Sequence, residues 1–248
     1  LEPIGRNTAP AMTLAALHAV ADGDDPILFV TPSDQIIQDT DAFQIAARSA
    51  VQLAKNNAVV ILGVLPTSAH IGYGYIKASG KVVDQFVEKP DLATAQHYLE
   101  TGNYFWNAGI FVTKASVWLK AVEQFRPDLE VATRNAWDNK IIDDHFLWLD
   151  KVAYDAIPAE SIDRAVIEHL PDSDIAINMV PLDAGWNDLG SWGAVWEVTP
   201  TNINGNALSG DIFTVDSNNN YVNASSRIVG LVGVEDIVVV ETPDAVLV

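Results

Sequence analysis

Two aspartates that each follow an apolar run are the residues of this chain best placed to do chemistry. Asp34 follows the run at residues 26–31, and Asp188 follows the run at residues 175–182, in a turn with two glycines and two tryptophans. Open α/β sheets bind ligands beyond the carboxyl ends of their strands, where paired carboxylates hold hydrated divalent cations. Taken singly, each aspartate is better explained as a turn former or helix cap. Together they predict a Mg²⁺ site on a triphosphate.

A second set of polar residues closes the apolar run at residues 82–87. Lys89 can neutralise a phosphate as a point charge, and Glu88 can accept hydrogen bonds from sugar hydroxyls. The alternative is an exposed ion pair before the turn at Pro90, which contributes little to stability. The two residues therefore make a candidate phosphosugar contact, with a purely structural explanation left open.

Small and aromatic residues alternate at two further places. Tyr73 lies between two glycines, of which Gly74 lets the backbone approach a flat or sugar-like ligand. Asn107 lies beside Trp106 and two residues before Gly109, an arrangement suited to binding sugar hydroxyls. Ordinary hairpin glycines and a core tryptophan explain the same residues, so both places remain candidates.

The start of the chain offers a third candidate, at Arg6, Asn7 and Thr8. Asn7 or Thr8 can cap the helix predicted at residues 12–21. Capping accounts for Asn7 but not for the adjacent Arg6, which can contact a base or a phosphate. We therefore predict a nucleotide contact at this turn.

Composition excludes several classes of function. The chain has 248 residues, no cysteine and a formal net charge of −19, so thiolate catalysis and Cys-based zinc sites are absent and nucleic-acid or anionic-membrane partners are not expected. The five histidines have no metal-ligand spacing, and neither a G-x-S-x-G elbow nor a phosphate-binding glycine fingerprint occurs. Cysteine-free composition fits a cytoplasmic location.

The elements that must position these residues alternate between helix and strand. Helices are predicted at residues 12–21 and 41–56, and buried strands at 26–31 and 58–65, the order typical of a doubly wound α/β sheet. Paired strands are predicted at 72–76 and 82–87. The remaining predictions are helices at 92–99, 116–125, 130–135, 161–170 and 190–198, and a strand at 108–112.

From residue 202 onward the pattern changes to short apolar runs separated by Asn, Gly, Ser and Asp. Runs at 207–215, 221–223, 227–232 and 237–240 predict a β-rich segment whose spacing suggests a β-helix. We therefore predict two domains, at residues 1–201 and 202–248. Both ends of the chain resemble the interior of a longer protein.

In order and spacing, these motifs resemble the bacterial mannose-1-phosphate guanylyltransferases, and the likeness spans essentially the whole chain. The landmarks are the blocks at residues 2–10, 32–34, 72–76, 86–90, 106–109, 161–163 and 183–192. The resemblance implies a Rossmann-like nucleotidyltransferase (nucleotide-diphospho-sugar transferase) domain, N-terminally truncated, followed by a short left-handed β-helix-like segment.

The resemblance also implies roles for individual residues. Asp34 and Asp188 match the metal-binding aspartates and, with Lys89, would be the catalytic set. The implied substrate-binding residues are Arg6, Asn7, Thr8, Tyr73, Gly74, Glu88, Lys89, Asn107 and Gly109. The implied partners are GTP, mannose 1-phosphate, the product GDP-mannose and a second copy in a homodimer.

Some positions depart from the family pattern. Gln35 stands where the family usually has His, Arg164 and His169 replace a usual Tyr and Lys, and the family's phosphate-cradling loop would precede Leu1. The sequence therefore predicts a GMP transferase whose chain, as given, is inactive alone. Two alternatives stay open: a nucleotidyltransferase for another base or sugar, and a non-catalytic module that binds sugar nucleotides or assembles with a partner.

Overall fold

The computed structural model describes residues 1–248, which form two compact units. The first unit comprises residues 1–33 and 37–186, and the second comprises residues 34–36 and 187–248. None of the helices combines the length and the apolar character that crossing a membrane requires.

The helices follow the predicted order, except that α6 was not predicted. Their bounds are α1 Thr8–Ala19, α2 Thr40–Ala54, α3 Leu92–Thr101, α4 Ala115–Phe125, α5 Pro127–Asp138, α6 Lys151–Asp155, α7 Ile162–Ala165 and α8 Trp192–Val198. A 3₁₀ helix spans Ile167–Asp172. The predicted cap of the first helix is confirmed, since the Asn7 side chain accepts a hydrogen bond from the Thr8 amide.

The strands of the first unit form one six-stranded sheet in the order β1-β6-β3-β9-β5-β4. Their bounds are β1 Ile27–Val30, β3 Val59–Val64, β4 Tyr75–Ser79, β5 Val82–Val87, β6 Tyr104–Lys114 and β9 Ile177–Pro181. Smaller pairs are β2 Ile36–Ile37 with β10 Trp186–Asn187, and β7 Ile141–Ile142 with β8 Leu147–Trp148.

The sheet is mixed rather than uniformly parallel. Strand β6 lies between β1 and β3 and runs antiparallel to both, whereas β3 and β9 are parallel. The run at residues 26–31 is less buried than predicted. Side chains on both faces of β1 contact the core, Ile27 on one face and Leu28 and Val30 on the other, but each is only partly buried and Phe29 is 36% exposed. An apolar run of this length does not reveal how completely its faces are covered.

Two cores lie on the two faces of the sheet, as the alternation of side chains along β3 requires. Val59 and Ile61 belong to one core, and Val60 and Leu62 belong to the other. In the second core, α2 contributes three alanines at intervals of four residues, Ala46, Ala50 and Ala54. Their small size brings the helix close to the sheet.

One predicted helix is interrupted. The region at 161–170 divides into α7 and the 3₁₀ helix at Val166 (φ −136°). The helix predicted at 116–125 is confirmed as α4, which ends at Phe125 because Arg126, whose φ of −139° lies outside the helical range, precedes Pro127. Periodicity predicted the helical content of 161–170 but not its break.

The second unit has the stacked rungs predicted for a β-helix. Strands β11 Ala207–Ser209, β13 Tyr221–Ala224 and β15 Val238–Glu241 pair in parallel, as do β12 Ile212–Val215 and β14 Val229–Val232. Val222, Leu231 and Val239 form the interior. The last strand, β16 Val246–Leu247, pairs antiparallel with β15 and so does not add a parallel rung.

Candidate active site

The segments that carry Asp34 and Asp188 are neighbours. Strand β2 begins two residues after Asp34, β10 ends one residue before Asp188, and the two strands pair with each other. The amide of Gln38 donates to the carbonyl of Ala184 at 3.0 Å and extends this connection. Both aspartates also belong to the second compact unit. Two carboxylates distant in sequence thus lie on adjoining segments.

A tight turn holds the Asp188 carboxylate. The amide of Gly190 donates to its Oδ1 at 3.1 Å, and a Cβ at position 190 would lie 2.7 Å from its Oδ2. Leu189 has a φ of +53°, and its amide donates to Oδ1 of Asn187 at 2.8 Å. Glycine at position 190 is therefore required by the close approach of the carboxylate, which is half-buried, whereas Asp34 is exposed.

The donor set at these segments fits a hard divalent cation. The chain has no group of three or more His, Cys, Asp and Glu side chains arranged to hold a metal. A cation on Asp34 and Asp188 would therefore complete its coordination with water and substrate phosphate oxygens. Mg²⁺ is usually held in this way, by one or two carboxylates together with phosphates.

A second cluster forms where β4, β5 and β6 lie side by side. The amide of Asn107 donates to the carbonyl of Gly74 at 2.8 Å, and a Cβ at position 74 would lie 2.9 Å from Oε2 of Glu88. The Glu88 side chain is only 9% exposed. The predicted residues Gly74, Glu88 and Asn107 are thus brought together at one place.

Lys89 completes this cluster with a strained backbone. Its φ is +46°, a conformation that costs a non-glycine residue free energy, and such strain concentrates at functional sites. Its Nζ lies 3.3 Å from Oε1 of Glu88, and 58% of its side chain is exposed. The ammonium group is therefore held beside a buried carboxylate while remaining accessible to an anionic ligand.

Two carboxylates of this cluster were not predicted as site residues. Nδ2 of Asn107 donates to Oδ1 of Asp163 at 2.7 Å, and the amide of Glu88 donates to Oε1 of Glu168 at 3.3 Å. Burial, and then the neighbouring Glu88 carboxylate, raise the pKa of Asp163 to about 6. The block at 161–163 marked Asp163 in the sequence, but nothing there assigned it a partner.

Gly109 lies at an irregularity in the pairing of β6 with β3. The pairing of β6 with β3 shifts register between Ile61 and Gly63, opposite Phe111 and Asn107, and Gly109 has a φ of +69°. Its amide donates to Oδ1 of Asn107 at 2.9 Å. Strand irregularities of this kind redirect side chains beside active sites, and here the irregularity fixes the Asn107 amide.

The block at Arg6, Asn7 and Thr8 adjoins the Asp163 segment. Oγ1 of Thr8 accepts a hydrogen bond from the amide of Ile162 at 2.9 Å. The Arg6 guanidinium lies 3.7 Å from the carboxylate of Asp155 and also donates to its carbonyl. Part of the guanidinium is therefore engaged within the protein, while its buried Nε has no hydrogen-bond partner. The nucleotide contact at this block stays a prediction.

Tyr73 lies in an aromatic group rather than on an open surface. Its ring stacks on His70 with centroids 3.9 Å apart and meets the edges of Trp106 and Trp186 at 5.1 and 5.5 Å. Tyr73 thus packs among aromatic side chains, directly before Gly74 and the start of β4.

Substitution of Gly74 tests this cluster. We expect Gly74→Ala to raise the KM for the phosphosugar proposed below by about tenfold or more. A Cβ at position 74 would lie 2.8 Å from Cζ of Phe86 and 2.9 Å from Oε2 of Glu88, so the methyl group displaces both side chains, and misplacement of about 1 Å is costly. Steady-state kinetics measure the change. Gly5→Ala is the matched control, since a Cβ at position 5 meets nothing within 4 Å; an unchanged KM in Gly74→Ala would contradict the arrangement.

Two family models match consecutive parts of the chain. Residues 1–204 match the model described as nucleotidyl transferase, and residues 210–248 match the MannoseP isomerase/GMP-like beta-helix domain. The β-rich segment predicted after the α/β domain therefore agrees with a known domain type.

Curated relatives cover the whole chain. It is 47% identical to the xanthan biosynthesis protein XanB of Xanthomonas campestris pv. campestris (strain B100) and 42% identical to a mannose-1-phosphate guanylyltransferase of Escherichia coli (strain K12). These alignments cover 100% of this chain but 53% and 54% of the relatives. The chain thus spans about half the length of the curated relatives it matches.

Solved structures give the same fold. A structure described as mannose-1-phosphate geranyltransferase from Thermus thermophilus superposes with a TM-score of 0.86 at 29% identity, over 100% of this chain and 72% of that one. One described as mannose-6-phosphate isomerase from Helicobacter pylori gives 0.70 at 31% identity, over 76% and 74%. The predicted fold class, an α/β nucleotidyltransferase domain followed by a β-helix-like segment, is confirmed.

Proposed function

Because the chain belongs to the nucleotidyl transferase family, we propose that it carries the site at which GMP is transferred from GTP to α-D-mannose 1-phosphate, giving GDP-mannose and pyrophosphate. The names of the relatives support this choice of base and sugar. The observation that carries the proposal is that Gly74, Glu88, Lys89 and Asn107 lie together. The Lys89 ammonium can bind a phosphate, and the buried Glu88 carboxylate can accept hydrogen bonds from sugar hydroxyls.

In the proposed reaction, an oxygen of the sugar phosphate attacks the α-phosphorus of GTP in line. The bond from that phosphorus to the β-phosphate oxygen breaks, and pyrophosphate leaves. Lys89 offsets the charge of the sugar phosphate, and Glu88 accepts hydrogen bonds from sugar hydroxyls. Such chemistry depends on positioning and on electrostatic stabilisation rather than on a protein nucleophile.

Members of this family generally use a divalent metal ion. We propose that the ion here is Mg²⁺ and that Asp34 and Asp188 hold it. When bound, it would offset negative charge on the phosphate oxygens. The two aspartates would supply anionic ligands from adjoining segments, and the Gly190 amide holds the Asp188 carboxylate in place.

A substrate panel tests the proposal. Pyrophosphate release is measured from the intact enzyme with GTP, ATP, UTP or dTTP, each with mannose 1-phosphate or glucose 1-phosphate. We expect GTP with mannose 1-phosphate to react at least about tenfold faster than other pairs, a discrimination of about 1.4 kcal/mol. If another combination of nucleotide and sugar 1-phosphate reacts fastest, the proposed base or sugar is wrong.

The non-catalytic alternative requires a separate measurement. Calorimetric titration with GDP-mannose, with and without Mg²⁺, reports binding independently of turnover. Binding without any pyrophosphate release would identify a binding module instead of a transferase.

We also propose that the protein is cytoplasmic and that it forms a homodimer. Measurement of its mass in solution tests the homodimer.

A further inference from the structure

The carboxylate of Asp163 is an unusual feature of the cluster that Gly74, Glu88, Lys89 and Asn107 form. Asp163 lies beside Glu88, and Glu168 accepts a hydrogen bond from the Glu88 amide, so three carboxyl groups meet at one end of β5. Lys89, two residues beyond the end of β5, is the cation paired with Glu88. Burying like charges together is unfavourable, so this arrangement is retained at a cost in stability.

The pKa of Asp163 indicates the pH range in which the folded protein loses this stability. The folded-state pKa, raised to about 6 by burial and by Glu88, exceeds the ordinary carboxyl value of 3.8. The folded protein therefore loses stability as the carboxyl ionises between pH values of about 4 and 6. A group kept charged at neutral pH against this penalty is a functional candidate.

The contact that Asp163 makes indicates what the charge does. Its Oδ1 accepts from Nδ2 of Asn107 at 2.7 Å, while Oδ1 of Asn107 accepts from the Gly109 amide at 2.9 Å. The side-chain amide of Asn107 is thus fixed at both ends, in one of its two possible orientations. The amide of Ile162, one residue earlier, donates to Oγ1 of Thr8 and anchors this segment to α1.

We propose that Asp163 is a positioning residue for the sugar phosphate: its carboxylate holds the Asn107 amide in the orientation that binds the ligand, and protonation of Asp163 releases it. The proposal deepens the proposed function and relies on it for the identity of the ligand. The charged groups that act on Asp163 are Glu88 and Lys89 at the end of β5, and its own segment carries Arg164 and Glu168, of which Glu168 accepts from the Glu88 amide.

Two substitutions separate the hydrogen bond from the charge. Asp163→Ala removes the acceptor, and we expect the KM for mannose 1-phosphate to rise about tenfold or more with kcat changed less than about threefold. Asp163→Asn keeps an acceptor oxygen but not the charge, as the protonated acid does, so we expect its KM at pH 7.5 to be raised toward the value that the wild type reaches below pH 6. Asp172→Asn is the control, because Asp172 is exposed on the same stretch.

The pH profile distinguishes positioning from a merely structural role. As the pH falls through about 6, we expect kcat/KM for mannose 1-phosphate to fall more steeply in the wild type than in Asp163→Asn. The phosphate monoester itself titrates near a pKa of about 6, but its contribution is common to both proteins. Parallel profiles, or an unchanged KM in Asp163→Ala, would overturn the proposal.

A measurement without substrate keeps this test independent of the proposed function. In the intact protein, the ¹⁵N-resolved side-chain amide signals of Asn107 should shift with a midpoint near pH 6 and show no such shift in Asp163→Asn. An absence of titration in the wild type would refute the coupling even if mannose 1-phosphate is a substrate. If GTP and mannose 1-phosphate give no turnover, the proposed function fails while the titration still decides the role of Asp163.

Discussion

Replacing Asp188 with asparagine is expected to lower the kcat of the intact enzyme by about a hundredfold or more, the scale seen when one electrostatic contact to a developing charge is removed. The substitution preserves shape. The Oδ1 atom that accepts the Gly190 amide at 3.1 Å remains, and the side chain still fits against position 190. Only the negative charge is lost, so any loss of rate reports on electrostatics.

The accompanying changes identify the lost interaction as metal binding. We expect the Mg²⁺ concentration that gives half-maximal rate to rise, while the KM for mannose 1-phosphate changes by less than about threefold. Asp183→Asn is the matched control, because Asp183 is an exposed carboxylate five residues earlier, before β10. A wild-type kcat in Asp188→Asn would remove Asp188 from the metal site.

The outline of this site could be predicted from the sequence because each part follows a strand. The apolar runs before Asp34 and Asp188 give strands whose carboxyl ends share one edge, since β1 and β9 both run parallel to β3. Glu88 follows β5, which runs antiparallel to β9, so its place beside Gly74 depends on the pairing of β5 with β4. The alternation of Val59 to Leu62 between two cores likewise follows from the period of a strand. Local patterns sufficed where the physical cause was itself local.

The parts that could not be predicted depend on contacts between distant residues. The pKa of Asp163 is raised by burial and by Glu88, which lies far away in sequence. The antiparallel position of β6 between β1 and β3 is a matter of sheet order, which composition does not encode. Strand β6 also starts at Tyr104, earlier than the predicted start at residue 108, and its first residues pair with β4, which is distant in sequence.

A buried asparagine ladder in the β-helix-like unit was also missed, because Asn in a punctuated sequence normally indicates an exposed turn. Asn206 and Asn220 are 1% and 0% exposed. Nδ2 of Asn220 donates to Oδ1 of Asn206 at 2.8 Å and to the carbonyl of Val234 at 3.3 Å, and its Oδ1 accepts from the amide of Ile237 at 3.1 Å. One side chain therefore connects three successive rungs.

Removing that side chain should destabilise the unit strongly. We expect Asn220→Ala to lower the free energy of unfolding by about 2–4 kcal/mol, because the amide of Ile237 loses its partner, the carbonyl of Val234 keeps only the amide of Asn218, and a small cavity forms. Urea unfolding gives the loss, and hydrogen exchange at the Ile237 amide localises it. Asn218→Ala, at an exposed asparagine two residues earlier, should change stability by less than about 0.5 kcal/mol.

The ladder also bears on the metal segments, since Asp34, Asp188 and the ladder belong to the same compact unit. We therefore expect Asn220→Ala to keep a near-normal kcat at low temperature and to lose activity at a lower temperature than the wild type, with Asn218→Ala following the wild type. Equal urea midpoints and equal exchange at Ile237 in both variants would show that the ladder does not support the unit. A kcat already lost at low temperature would indicate a direct role in the site instead.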